Sequence, residues 1–173
     1  LGATTDRPTP LSLVQHQYFN LGTTDDVLDH SYWFAVNAIS EVDSKTLIPT
    51  GNLLETKPGT QWYFRTPKTL RDSSGQGIGY DGNMVLDSGR DLADPVAIVK
   101  SPAGDLTLKL WTDRPGLQFY NAMMTDVPKG LGLGGKTYGK YSAFCLEDQA
   151  FPDAVHHPHF PNIIITPEKP YSH

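Results

Sequence analysis

Short stretches of alternating apolar and polar residues, separated by glycine and proline, dominate this chain. The clearest alternation is residues 106–111 (LTLKLW), in which leucine recurs at every second position. Every second side chain of a β-strand points to the same face, so the pattern predicts a strand with Leu106, Leu108 and Leu110 facing the interior. The Gly-containing turn at 102–105 and the apolar run at 95–100 complete a predicted β-hairpin.

The remaining apolar segments are also short and rich in β-branched and aromatic residues. Further strands are predicted at residues 11–19, 32–39, 84–86, 117–121, 143–147 and 162–166, a turn at 47–51, and loops at 68–79, 129–139 and 152–161. No window of ten residues shows a convincing helical period without Gly or Pro. The sequence therefore predicts an all-β protein, an antiparallel β-sandwich, with no internal repeat or dividing linker.

Length and charge narrow the classes of partner. A chain of 173 residues can bury one sizeable core, and its net charge of -5 without a basic run argues against nucleic acid. No apolar run approaches the roughly 18 residues of a membrane span, so no membrane partner is expected. Cys145 is the single cysteine, which excludes an internal disulfide and favours a cytoplasmic location. The chain begins at Leu1, so we expect a processed or fragmentary N-terminus, which leaves secretion open.

Four polar residues on predicted strands or loop tips are candidates for chemistry. Glu147 ends the strand at 143–147, and a carboxylate at the mouth of a sheet is well placed to react. His16, Asp81 and Gln118 are the others. Taken singly, each has an ordinary structural explanation: an exposed acid, a hydrogen-bonded rim histidine, a turn aspartate and a paired amide.

Two other features suggest ligands but have weaker patterns. His156, His157 and His159 could supply imidazoles to zinc or copper, yet adjacent residues diverge and the flanking prolines favour an extended surface segment. The glycine-rich stretch 129–139 lacks the spacing of a phosphate-binding loop and has no following helix. We predict neither a metal site nor a phosphate site.

Five motifs, in order, resemble the C-terminal half of the aldose 1-epimerases, or galactose mutarotases. They are residues 15–21 (QHQYFNL), 47–51 (LIPTG), 79–83 (GYDGN), 114–120 (RPGLQFY) and 144–154 (FCLEDQAFPDA). The corresponding family patterns are N-H-x-Y-F-N-L, L-I-P-T-G, G-[FY]-D-H-N, Q-P-G-[VL]-Q-F-Y and F-C-L-E-T-Q-x-x-P-D-A. The chain departs from the family at Gln15, Gly82 and Tyr141, where an asparagine and two histidines are usual.

The resemblance implies an isomerase of carbohydrate metabolism with a galactose mutarotase-like supersandwich. It implies that galactose or glucose binds in an open cleft and that neither a metal nor an organic cofactor is used. By the same resemblance, Glu147 is the general base, His16 is the general acid, and Asp81 and Gln118 hold sugar hydroxyls. These types suit the roles, because a carboxylate is ionised at neutral pH and an imidazole titrates there.

The ring-opening reaction places further demands on the site. Base and acid must flank one sugar ring, so we expect Glu147 and His16 across one pocket, several ångströms apart with room for the sugar. An aromatic wall for the apolar face of the sugar is expected from Tyr18, Phe119 or Tyr120.

Family members are about twice as long, and their N-terminal half supplies an arginine and a histidine that have no match here. We therefore interpret residues 1–173 as the C-terminal portion of a single sandwich domain, incomplete at both ends. A second polypeptide or fragment is expected to cover its open edges.

Two alternative functions follow from the same residues. The first is a non-catalytic carbohydrate-binding sandwich derived from a mutarotase. The second is a glycoside hydrolase that uses Glu147 and Asp148, although neighbouring strand residues face opposite ways.

Overall fold

Antiparallel strands build the protein, and the computed structural model describes all residues from 1 to 173. Two single 3-10 turns, Leu133–Gly135 and Ala154–His156, are its helical elements, and neither could cross a bilayer. The strands are β1 (Gly2–Ala3), β2 (Thr9–Pro10), β3 (Ser31–Phe34), β4 (Val36–Val42), β5 (Pro49–Glu55), β6 (Asp81–Leu86), β7 (Ala97–Lys100), β8 (Thr107–Leu110), β9 (Gly116–Tyr120), β10 (Cys145–Gln149), β11 (Ile164–Ile165) and β12 (Tyr171–Ser172).

Two main sheets carry most of these strands. The larger has five strands in the order β10-β9-β6-β4-β5, and the smaller has three in the order β3-β7-β8. Two-stranded pairs, β1 with β12 and β2 with β11, join residues near the two ends of the chain. The predicted all-β, sandwich-like class is confirmed.

An aromatic core holds the two main sheets together. Phe119 of β9 lies 5.0 Å from Phe34 and 5.5 Å from Tyr32 of β3, measured between ring centroids, and all three side chains are fully buried. Phe64, from the segment before the loop at 68–79, packs 4.8 Å from Phe34. Burying rings of this size is the largest favourable contribution available to such a core. The opposite face of the five-stranded sheet takes no part in this core.

The predicted strand at 32–39 is two strands in different sheets. Ala35 lies between β3 and β4, and its backbone bonds to both sides. Its N–H donates to the carbonyl of Val96, next to β7, and its carbonyl accepts from the N–H of Asp87, next to β6. The chain therefore crosses between the sheets at Ala35 without a turn residue, which explains why composition suggested one continuous strand.

Several predicted boundaries were wrong. Residues 11–18 form no strand ladder, and the one β-bridge that follows them joins Phe19 to Phe144. The strand predicted at 162–166 is reduced to β11, and the turn predicted at 47–51 runs into β5 from Pro49 onward. Alternation indicates which face a strand would bury but cannot supply the partner that makes the strand.

The hairpin of β7 and β8 is confirmed, with Ala97 opposite Leu110 and Lys100 opposite Thr107. Leu108 and Leu110 pack against the core as expected. Leu106 does not, since it precedes the strand and is 53% exposed.

Candidate active site

A cavity of about 430 Å³ opens on the face of the five-stranded sheet opposite the aromatic core. Strand register builds its floor, because Glu147 of β10 stands opposite Gln118 of β9, and Gln118 stands opposite Asn83 of β6. Paired residues of antiparallel strands point to the same face. Three adjacent strands thus present polar side chains side by side, at a volume typical of small-molecule sites.

The cavity contains all four of the candidate residues. Glu147 Oε1 lies 3.3 Å from His16 Nε2, and Gln118 Nε2 donates a hydrogen bond of 2.8 Å to Asp81 Oδ1. The acid–base candidates and the hydroxyl-binding candidates therefore form two contacting pairs. The expected sugar-sized gap between Glu147 and His16 is wrong for this structure, in which the two side chains touch.

Glu147 has an unusual electrostatic environment for a strand-end carboxylate. It is 7% exposed, and this burial raises the pKa of its carboxyl group. His16 opposes the rise, whereas the negative charge of Asp81 adds to it. Burial and a like charge both disfavour the carboxylate, so Glu147 binds a proton more readily than an exposed glutamate does. A carboxylate of this kind is a better base.

His16 reaches Glu147 from the segment that has no strand ladder. Its side chain is half-exposed, and its ring lies 5.0 Å from the ring of Tyr18 with 30° between the planes. Tyr18 in turn meets Tyr120 edge-on, at 6.4 Å and 83°. These two tyrosines stand beside the acid–base pair, as proposed for an aromatic wall. Phe119 does not, because it is fully buried in the aromatic core.

Asn83 and Ser40 also line the cavity and were missed as candidates. Asn83 Nδ2 donates to Ser40 Oγ at 2.8 Å, which links β6 to β4 beneath the cavity. The signal for Asn83 was present, because it lies two residues after Asp81 and a strand places both on one face. Ser40 carried no such signal, since its alignment depends on the pairing of β4 with β6.

Of the family departures, Gly82 lines the cavity between Asp81 and Asn83, whereas Tyr141 does not line it. Gly82 stands opposite Phe119, and a Cβ added there would come 2.9 Å from the ring of Trp62. Tyr141 donates its hydroxyl to the carbonyl of Gly77 at 3.1 Å, which ties it to the loop at 68–79. Both positions therefore serve packing in this chain.

Asp148 lies on the opposite face from Glu147. It accepts a hydrogen bond of 2.6 Å from Thr112 Oγ1, and its Oδ2 lies 2.6 Å from His173 Nε2. The neighbouring carboxylates therefore do not converge on one substrate, which removes the geometry that a two-carboxylate hydrolase needs.

The histidines of the loop at 152–161 have separate partners. His157 Nε2 lies 3.1 Å from the carbonyl of Pro49, and His159 Nε2 lies 2.8 Å from that of Gly51. His156 Nδ1 pairs with Asp153 Oδ1 at 2.5 Å. Two of these rings fasten the loop to β5, beside the cavity.

Comparisons with known proteins point to one family. A family model described as aldose 1-epimerase matches residues 1–173. Galactose mutarotase of Rattus norvegicus is 35% identical over 175 residues, which are 99% of this chain and 50% of the rat protein. Aldose 1-epimerase of Escherichia coli strain K12 is 30% identical over 180 residues, 98% of this chain and 51% of that protein.

A solved structure extends the agreement to three dimensions. The GalM/aldose epimerase homologue from C. elegans matches with a TM-score of 0.84 at 26% identity, over 97% of this chain and 50% of that one. The chain thus spans about half the length of the relatives it matches.

Proposed function

Because this chain belongs to the aldose 1-epimerase family, we propose that it carries the acid–base site of an enzyme that interconverts the α and β anomers of a free hexose, galactose or glucose. The observation that carries the proposal is the contact of Glu147 with His16 beside the hydrogen-bonded pair of Asp81 and Gln118, in one cavity. A base, an acid and two hydroxyl-binding groups are what ring opening requires.

In the proposed reaction Glu147 removes the proton from the hydroxyl on C1, and His16 gives a proton to the ring oxygen. The bond between C1 and the ring oxygen breaks, and the open-chain aldehyde forms. Rotation about the C1–C2 bond presents the other face of the carbonyl. On closure the C5 hydroxyl returns its proton to His16 and attacks C1, while Glu147 returns its proton to the carbonyl oxygen.

The contact between the two groups has to open when sugar enters. Glu147 is fixed by β10, whereas His16 is half-exposed on a segment without a ladder. We infer that His16 is the group that moves. The sugar then takes the place of the direct contact, and each group meets one of its oxygens.

Asp81 and Gln118 fix the position and orientation of the sugar ring. A carboxylate accepts hydrogen bonds from hydroxyls, and an amide both donates and accepts, so the pair can bind two neighbouring hydroxyls. Fixing the ring there positions C1 between base and acid, and this positioning lowers the barrier to ring opening.

We also propose that residues 1–173 are the C-terminal portion of one sandwich domain, completed by a second polypeptide or fragment. Three observations support this. The chain spans half of its relatives, residues 11–18 lack a ladder, and Leu106 is exposed at the edge of the three-stranded sheet. A cytoplasmic location is proposed with it, since Cys145 is a buried free thiol.

Polarimetry tests the proposed activity. Freshly dissolved α-D-galactose or α-D-glucose should reach its equilibrium rotation faster with the protein, completed as proposed above, than without it, and Glu147→Gln in that completed protein should abolish the difference. Sugar binding without any acceleration would overturn the proposal in favour of the non-catalytic carbohydrate-binding sandwich. Calorimetric titration with the same sugars distinguishes that result from a protein that binds no sugar.

A further inference from the structure

We propose that the cavity is also a binding site for a thiophilic divalent cation such as Zn²⁺, held by His16, Cys145 and Glu147. The cation would occupy the position of the reacting sugar and would block the acid–base pair. The binding claim stands on geometry alone, whereas the inhibition rests on the proposed function.

The three ligand atoms already lie close together. One imidazole nitrogen of His16, Sγ of Cys145 and a carboxylate oxygen of Glu147 are all within 4.8 Å of one another. Zinc bonds of about 2.0–2.3 Å in a tetrahedron separate ligand atoms by roughly 3.3–3.6 Å. The contact of His16 with Glu147, at 3.3 Å, meets this requirement as it stands. No two of the three ligand atoms are more than 4.8 Å apart, so a shift of about one ångström among the ligands closes the site.

Strand geometry explains why the cluster exists. Cys145 and Glu147 are alternate residues of β10, so both point to the cavity face. Cys145 is fully buried and lies beneath the cavity, opposite Tyr120. His16 closes the cluster from the solvent side. A cation would therefore be held by two rigid ligands and one adjustable ligand.

The donor set selects the kind of cation. One nitrogen, one sulfur and one oxygen from protein suit zinc, with a fourth position left open, here towards the cavity. Mg²⁺ and Ca²⁺ prefer six or more oxygen ligands, so they should not compete. Imidazole and thiolate favour Zn²⁺, Co²⁺ or Cd²⁺ instead.

Charge in the cavity favours a cation as well. Glu147 and Asp81 line it, and no lysine or arginine does. These negative surroundings stabilise a dication.

The single cysteine makes the test specific. Cd²⁺ or Co²⁺ bound to a thiolate gives a sulfur-to-metal charge-transfer band in the ultraviolet, and only Cys145 can produce it here. We expect a saturable band with one equivalent of metal. Cys145→Ser should abolish the band, and His16→Asn should weaken metal binding at least tenfold. His159→Asn, a matched histidine change outside the cluster, should leave the band unchanged.

Two results would contradict the proposed metal site. No band at saturating Cd²⁺, or a band whose titration is the same in His16→Asn, overturns the site. Mg²⁺ at equal concentration should give no change in a competition titration.

For inhibition, each variant is compared with its own metal-free polarimetric rate, and Zn²⁺ should slow the wild type. A clear band with undiminished catalysis would overturn the claim that cation and sugar exclude each other, whereas a band in a catalytically silent protein would fault only the proposed function.

Discussion

Glu147 and His16 touch at 3.3 Å although they come to the cavity by different means. Glu147 is held in the β10–β9 ladder, where it stands opposite Gln118. His16 belongs to a segment without a ladder and is half-exposed. A rigid base and an adjustable acid are therefore combined in one site.

In the completed enzyme, replacing Glu147 by Gln removes the base but keeps the shape of the side chain. We expect the catalysed rate of anomer exchange to fall by about 10²–10⁴, the usual contribution of a general base. Polarimetry measures the rate, and circular dichroism checks the fold. Asp148→Asn is the matched control, since this neighbouring carboxylate faces away from the cavity and should leave catalysis in place. Equal losses in both variants would contradict the assignment.

His16→Asn should reduce the rate over a similar range, because the ring oxygen loses its proton donor. The same variant should bind sugar with little change if Asp81 and Gln118 dominate binding. Calorimetry separates the two effects. A large loss of sugar affinity with an unchanged turnover number would show that His16 binds sugar and does not transfer protons.

The pH dependence should report the surroundings of Glu147. The base acts as a carboxylate, so activity falls as the pH drops through the folded-state pKa, which burial has raised above the ordinary glutamate value. The charge of Asp81 adds to that rise, so Asp81→Asn should move the acid limb of kcat/KM to lower pH. Asp105→Asn, on the distant turn before β8, should not move it. An acid limb that stays in place in Asp81→Asn would exclude this coupling.

His30 should make the fold sensitive to acid. It is fully buried, burial lowers the pKa of its ring, and Nε2 accepts a hydrogen bond of 3.0 Å from the N–H of Leu21. A depressed folded-state pKa gives stability that is complete above the unfolded value of about 6.5 and is lost as the pH falls towards the folded value. Urea unfolding at pH 7.5 and 5.5 should show a larger loss for the wild type than for His30→Gln. Equal losses would mean that other groups control acid unfolding.

Restoring the family histidine at position 82 should destabilise this chain. The new side chain would meet the ring of Trp62, since even a Cβ comes within 2.9 Å. Overpacking of this kind costs about 1–3 kcal/mol. The double variant Gly82→His with Trp62→Ala should lose less stability than the sum of the single changes. Additive losses in chemical denaturation would show that Trp62 is not the obstacle.

The proposed completion of the sandwich has its own test. Expressed alone, residues 1–173 should associate or unfold without cooperativity, because Leu106 and the unladdered segment at 11–18 lack cover. Size-exclusion chromatography and a urea titration decide this. A monomer with one cooperative transition would contradict the proposal and would favour the non-catalytic sandwich.

Local patterns in the sequence determined the fold class and one hairpin. Alternation at 106–111 and the turn at 102–105 identify β7 and β8, because side-chain direction in a strand depends only on sequence parity. The motif residues Glu147, His16, Asp81 and Gln118 could likewise be named from sequence, since their chemical types and motifs are local. Their roles stay predictions.

Tertiary structure alone decided how these parts meet. The crossing at Ala35, the missing ladder at 11–18 and the alignment of Ser40 with Asn83 all depend on which strands pair, and pairing joins residues far apart in the chain. The same holds for the contact of Glu147 with His16, which replaced the expected gap. Sequence parity selects a face of a strand, whereas register and packing determine what stands opposite.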